Sequence, residues 1–552
     1  MLAVILALFV LLSFSCAPAV DPDEPDPDEN DVDVEPDPDP VEEPGEPQRV
    51  VVAQAQGVGS WDPPQDWLTA PEWLIQNAYD SIMVRSGDGS EFLPELAREW
   101  EHIDDYTFRL YLQEGVRFHD GTELTAEDVK FHWERVREGT RELYIVAGQY
   151  DWYEDIVIHD DYTLDFITEE PSSIILFHFR ATGSGIVSKA YVEEVGPEGV
   201  HSSPMGSGPW KLKDWVRDEH VLFEANEDYW GGRPDFDELE FRIIPEASTR
   251  VAELLTEGVD IIYDIHPEDE QRVDAEDHLT TKYVNIDRGL FMHPRFGPHP
   301  NYPDDPELTR EFTTEDPRVR EAIEKALDKY ALRDIAGGEG EAYRMRMFEP
   351  LPEANPALFG PEACLYDPER ARELLSEAGY GPGECKVVIH APEDAPHGDV
   401  AQVVRAMLEE VGFDVDLRLM DGSTFRSEIQ APRKAQELYF HAAGGNMDPR
   451  MAVAQFVPGS DSMIRYAQDN LEAWKDPSKY QRLDELIDVA FTEVHDDEAR
   501  LSAYHEIGQI IADERLYIGL FQQSTLWGIN TRLDYEPRFD NHIRGMDIRL
   551  AQ

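Results

Sequence analysis

Apolar positions recur along this 552-residue chain in a few rhythms, each of which predicts an element. In EDPRVREAIEKALDKYAL, Val319, Ala322, Ile323, Ala326, Leu327 and Tyr330 fall on one stripe at the helical period, with Asp316 placed to cap and Pro317 at the first helical position. YDPERARELLSEAGY repeats the device: Asp367 caps, Pro368 starts, Leu374, Leu375 and Ala378 face inward, and Gly379 ends the helix. There follow KVVIH (386–390), a helical pattern at Val403, Val404, Met407, Leu408 and Val411, a stop at Gly412, and the alternating FDVDLRL (413–419). Strand, helix, strand implies a parallel pair with a right-handed crossover. Earlier segments, RVVVAQA from Arg49, YTFRLYL (106–112), DYTLDFIT (161–168) and ELEFRIIP (238–245), alternate or run apolar as strands do. The shift from a strand-rich first part to an α/β middle predicts two lobes.

The N-terminus differs from all of this. Residues 1–15, MLAVILALFVLLSFS, are almost wholly apolar but shorter than the roughly 20 residues of a spanning helix, and read as a signal peptide. Cys16 then opens a stretch, 17–48, that holds 14 acidic residues, nine prolines and no Lys or Arg. It cannot bury a core and is expected to be an extended, self-repelling tether. Leader, cysteine and tether resemble a bacterial lipoprotein lipidated at Cys16, although Ser13 and Phe14 depart from the usual lipobox and no basic residue precedes the apolar run. Plain secretion, with Cys16 removed, is the other reading.

Charge narrows the partners. A net charge of −67 repels nucleic acid and anionic lipid headgroups. Eleven lysines stand against 37 arginines, an acid-rich, lysine-poor balance that resembles proteins working in high salt; acidity that merely aids solubility is the alternative. Cys364 and Cys385 are the remaining cysteines. An oxidising compartment would let them pair across a loop of about 20 residues, for about 3 kcal/mol in the chain-entropy model. Two free buried thiols would serve equally.

One stretch looks catalytic at first sight. GVRFHDGTELTAEDVKFHWERV, 115–136, gathers His119, Asp120, Glu123, Glu127, Asp128 and His132. Asp120-Gly121 is a turn signal, and TAED (125–128) fits a capping box whose helix turns Ala126, Val129, Trp133 and Val136 inward. His119 and His132 are left, without the spacing of paired metal ligands on a helix. HEIGQ (505–509) lacks the second His of a zinc motif, no GxxxxGK[ST] loop occurs, and GSG at 183–185 and 206–208 is not a nucleophile elbow. Neither a catalytic residue nor a metal or other cofactor is expected.

Taken in order, longer segments carry a resemblance. Residues 79–136 (YDSIMVRSGDG…FHWERV) and 205–261 (MGSGPWKLKDW…LLTEGVDI), then DPRVREAIEKALDKYAL, LYDPERARELLSEAGYG and DDEARLSAYHEIGQIIADERLYIGLF, resemble successive blocks of the family 5 extracytoplasmic solute-binding proteins of ABC importers, the peptide, oligopeptide and nickel type. The resemblance covers nearly everything after residue 50. It implies an α/β, two-lobed periplasmic-binding-protein clamp (type II, cluster C-like) with an extra N-terminal subdomain. Lobe I would take 49–288, lobe II 289–522, and a return segment 523–552 would rejoin lobe I, with crossings near 287–293 and 521–527. It further implies a small-molecule or peptide ligand that favours the closed form, ABC permease transmembrane subunits as partners, a monomer, no nucleic acid, and membrane contact through a lipid anchor only. A sensory ligand receptor and a secreted hydrolase are the competing readings.

The same resemblance points to ligand-facing positions. In HAAGGNMDPRM (441–451), Gly444, Gly445, Asn446 and Asp448 would be presented in a turn, which could also merely connect. Peptide-binding relatives carry an Asp three positions before the Asp of this Asp-Pro pair, to meet a free amino terminus. Gly445 stands there, and Ala442 and Ala443 replace the usual Gly-Trp. A modified or cyclic peptide, a sugar or another small solute is therefore as open as a free peptide. His293 near the first crossing and Gln522 and Gln523 at the second are further candidates, each equally suited to hinge packing. Trp61 and Trp210 suit a core or a wall.

Overall fold

Ten strands pair into one sheet that links the early and middle parts of the chain. The computed structural model describes residues 48–65, 69–139, 150–179, 183–297, 302, 304–340, 342–343, 365–394, 396–430, 434–444, 476 and 478–551. In spatial order the strands are Phe413–Met420, Cys385–Pro392, Leu438–Gly444, Leu279–Pro294, Ile518–Asn530, Ile261–Tyr263, Arg49–Gln54, Glu238–Ile243, His220–Ala225 and Trp210–Val216. A separate four-stranded sheet combines Ala97–His102, Thr107–Leu112, Thr163–Ile167 and Asp155–Asp160.

Local chemistry sets the element boundaries. The Asp128 carboxylate accepts from the Thr125 amide at 3.0 Å, half of a capping box, at the start of the helix Ala126–Glu138, which buries Val129, His132, Trp133 and Val136. Asp316 accepts from the Arg318 amide at 2.8 Å, and Asp367 from that of Arg370 at 2.9 Å; each is followed by proline at the first helical position. The strand Cys385–Pro392 runs parallel to Phe413–Met420, from Cys385 opposite Phe413 to Pro392 opposite Met420, with the helix His397–Val411 as crossover. Gly412 ends that helix at φ +112°, a left-handed conformation that favours glycine. The stripe from Val319 to Tyr330 is not one helix but two, Pro317–Ala326 and Lys329–Ile335. The Asp328 carboxylate accepts from the Ala331 amide at 3.1 Å, so it starts a new helix where the apolar period alone would have continued the old one.

Several hydrophobic cores divide the described chain. One, with Trp61, Trp73, Trp210, Phe223 and Phe241, fills the early strands; a second, around Trp133, Phe166 and Leu110, belongs to the four-stranded sheet. A third packs Val319, Ile323, Leu374, Val404 and Leu408 against Val387, Ile389 and Phe440. Among the described strands, only the two longest serve both ends of the large sheet. Leu279–Pro294 pairs antiparallel with Ile518–Asn530 along most of its length, and the pairing slips between Asn285 and Gly289. On one side of the slip the neighbour is Ile261–Tyr263, through Trp527, Gly528 and Ile529; on the other it is Leu438–Gly444, from Arg288 opposite Gly444 to Pro294 opposite Leu438.

Candidate functional site

The 115–136 stretch resolves as structure. His119 Nε2 meets the Gly208 carbonyl at 3.0 Å and His132 Nε2 that of Gly183 at 2.9 Å. A carbonyl only accepts, so each of these nitrogens is the donor. Burial pulls His119 down to about 4 and His132 to about 3, keeping both imidazoles neutral at ordinary pH. Among the described residues no three His, Cys, Asp or Glu side chains gather as a metal would require. Trp61 and Trp210 are core residues, Trp61 standing edge-on to Trp215 and Phe223 at 5.7 and 5.9 Å.

The two long strands bring together residues distant in sequence. His293 is 0 % exposed, stacks on Tyr439 with ring centroids 4.9 Å apart, and lies 3.0 Å through Nε2 from His441 Nδ1. Phe291 and Tyr517 complete the cluster. Register explains it: Arg418 is opposite His390, His390 opposite Tyr439, and Tyr439 opposite His293, so four strands place polar or aromatic side chains in one row. His390, buried and held down to about 4 by that burial, borders a cavity of about 720 Å³ with Tyr302, Arg418, Met420, Lys434 and Gln436.

The other candidates are scattered along the crossing. Gln522 is opposite Gly289 and donates through Nε2 to the Ile286 carbonyl at 3.0 Å; Gln523 is half-buried beside it. Gly340 lies so close to this strand that a Cβ there would stand 2.0 Å from the Gln522 carbonyl oxygen. Gly444 closes the strand Leu438–Gly444 opposite Arg288. Gly445, Asn446, Asp448, Cys16 and Cys364 lie outside the described residues. Cys385 is a buried free thiol, pushed up to about 12 by burial and the nearby Glu437 carboxylate. His441, Tyr439 and His390 were not chosen from the sequence; the His ending KVVIH and the His opening HAAGG were visible, but only register shows that they share a face. No helix among the described residues is long and apolar enough to cross a membrane.

Comparison with known proteins accounts for this geometry. Residues 91–463 match the model of bacterial extracellular solute-binding proteins, family 5 Middle. The chain is similar to the dipeptide-binding protein of Escherichia coli (strain K12), 26% identical over 347 residues, 58% of this chain and 61% of that protein. It is also similar to heme-binding protein A of Haemophilus influenzae, 25% identical over 438 residues, 72% of this chain and 75% of that one. The chain thus spans less than two thirds of the first relative's length. HbpA2 from Haemophilus parasuis superposes with a TM-score of 0.73 at 20% identity, over 91% of this chain and 100% of that one. DppA from Helicobacter pylori, solved with the peptide STSA, gives 0.69 at 20% identity over 91% and 98%. The fold is accordingly that of the type II periplasmic binding proteins, a two-lobed clamp.

Proposed function

The chain belongs to the bacterial extracellular solute-binding proteins, family 5, and from that premise we propose that it captures a small solute between two lobes and delivers it to the permease of an ABC importer. The observation that carries the reading is the pair of long strands, Leu279–Pro294 and Ile518–Asn530, shared by both ends of the sheet and slipping in register at Asn285–Gly289. Two strands crossing at one place make a hinge, and a ligand that touches both lobes shifts the population toward closure. We place lobe I at 49–288 with its subdomain, lobe II at 289–522 and the return segment at 523–552.

Relatives named for dipeptide, di/tripeptide, glutathione and heme support a small-molecule cargo, peptide or not. Gly445 in place of the acid that would meet a free ammonium favours a cargo without one. Gly444, Gly445, Asn446, Asp448, Gln522 and Gln523 are our ligand-facing candidates, with His293 acting from behind His441. The binding-protein character of the relatives supports a role without catalysis or cofactor. We also assign it an extracytoplasmic location with a lipid anchor at Cys16, a monomeric state and work at high salt; with Cys385 a free buried thiol, the Cys364–Cys385 bond that the sequence allowed is not assigned.

The test is native mass spectrometry of protein purified from its producer, followed by X-ray scattering with and without the guest so identified. Saturable binding, a smaller radius of gyration and a guest recovered unchanged are expected. A tightly held guest that leaves the scattering unaltered, or emerges chemically changed, refutes the proposal.

A further inference from the structure

In a chain with 115 acidic residues, most arginines whose surroundings are described meet a carboxylate or a carbonyl: Arg135 grips Asp62 at 2.7 Å, Arg532 grips Asp260 at 2.6 Å, and Arg515 grips Glu324 at 2.8 Å. Arg288 and Arg426 do neither. Both are exposed, and among the described residues no hydrogen bond or ion pair engages either guanidinium.

Topology brings the two together. Cys385–Pro392 is parallel to both Phe413–Met420 and Leu438–Gly444, so Pro392, Met420 and Gly444 end at one edge of the sheet. Arg288 stands opposite Gly444, which puts it at that edge; Arg426 follows Met420 by six residues, after a turn in which Asp421 accepts from the Thr424 amide at 3.0 Å. His397 opens the helix that follows Pro392. In open α/β sheets the crevice beyond the carboxyl ends of the strands is where ligands sit. Here that edge also borders the register slip at Asn285–Gly289.

Electrostatics agrees with the placement. Arg288 is pulled below the ordinary guanidinium range by desolvation first and by the Arg426 cation second, with no carboxylate acting to raise it. Arg288 also lowers His397. The acid at hand, Asp394, is 3.6 Å from His397 Nδ1.

We infer that Arg288 and Arg426 form an oxyanion-binding wall in the cleft, taking a carboxylate, or a phosphate of the same charge, on the cargo. Two planar donor forks match such a group, and without it each cation only repels the other. The inference rests on the clamp reading of this site and narrows the cargo to a small organic anion.

The test is a titration panel on the full protein: N-acetyl dipeptides, dicarboxylates and sugar phosphates, each beside its amide or dephosphorylated counterpart, with inorganic phosphate as the bare-anion probe. Affinity is read by calorimetry and closure by scattering. At least one acid is expected to bind while its neutral counterpart binds roughly ten- to a hundredfold more weakly, the range of a charge-assisted hydrogen bond. R288Q and R426Q should each lose a comparable factor and R288K less, while R98Q, at an exposed pair with Glu114, should lose none. Melting temperatures of the free variants check that they fold. Neutral solutes binding as tightly as acids, affinity indifferent to both variants, or no acid binding at all would overturn the inference. Binding of phosphate alone names the tetrahedral anion as the class. An acid that binds through these arginines without closing the protein sinks the clamp reading and leaves the oxyanion wall standing.

Discussion

Replacing His132 with glutamine tests whether the histidine-rich stretch is architecture rather than a proton-handling site. The imidazole is 0 % exposed, donates through Nε2 to the Gly183 carbonyl at 2.9 Å, and is drawn down to about 3 by burial first and by the Arg135 cation second. In the unfolded chain it would titrate near 6.5. The folded state therefore binds fewer protons than the unfolded one between those values, so stability is full above about 6.5 and is lost as pH falls toward about 3. At pH 5 protonation of the unfolded chain at this site lowers stability by about 2 kcal/mol, and the limiting loss is about 5 kcal/mol. Urea unfolding of wild type and H132Q at pH 8 and pH 5 reads the effect directly. The wild type should lose about 2 kcal/mol more than the variant between the two pH values, while His119, lowered in the same sense, acts equally in both proteins. Parallel pH dependences would mean that His132 is charged in the folded state, and the structural reading of 115–136 would fall.

Three other outcomes follow from the packing and charge. Trp61→Ala removes a fully buried indole from between Trp215 and Phe223 and should cost about 3–5 kcal/mol in chemical denaturation; a loss under about 1 kcal/mol would show that the pocket collapses freely. Gly340→Ala sets a methyl 2.0 Å from the backbone of Gln522 and must displace a crossing strand, so it should lower stability by on the order of 2 kcal/mol and alter ligand-driven compaction in scattering; no change in either would deny the close approach. The net charge of −67 predicts a melting temperature that rises as salt goes from low to molar, because the screening length falls from about 10 Å at 0.1 M to about 3 Å at 1 M; a falling temperature contradicts the high-salt assignment.

Where a residue acts on its immediate neighbours, its role was legible in the sequence. Asp316-Pro317, Asp367-Pro368, the Thr125–Asp128 pair and Gly412 each fix a helix end within four residues, and all stand where the pattern placed them. Asp328 shows the limit of periodicity, since the apolar stripe runs on through a position whose carboxylate caps the next helix. The row Arg418, His390, Tyr439 and His293 was not legible because its members come from four strands as much as 146 residues apart, and strand order fixes their neighbours. The shift in pattern suggested two lobes, and the family blocks supplied their arrangement as a clamp.

Acid-rich composition sharpens what an unpaired arginine means. With 115 carboxylates on the chain, a mobile guanidinium finds one easily, and an exposed pair is worth only about 0–1 kcal/mol, so neither finding nor losing such a partner alters the fold much. Keeping a guanidinium apart from the described acids takes a backbone that holds it there. Arg288 stands on a strand opposite Gly444, so its cross-strand neighbour is not an acid. Arg426 adds a like charge, which raises the free energy of the empty site and lowers the relative cost of filling it with an anion. Affinity would then come from relieving a repulsion already built into the lobe, and it should weaken as salt screens that repulsion, even while the same salt steadies the acidic surface around it.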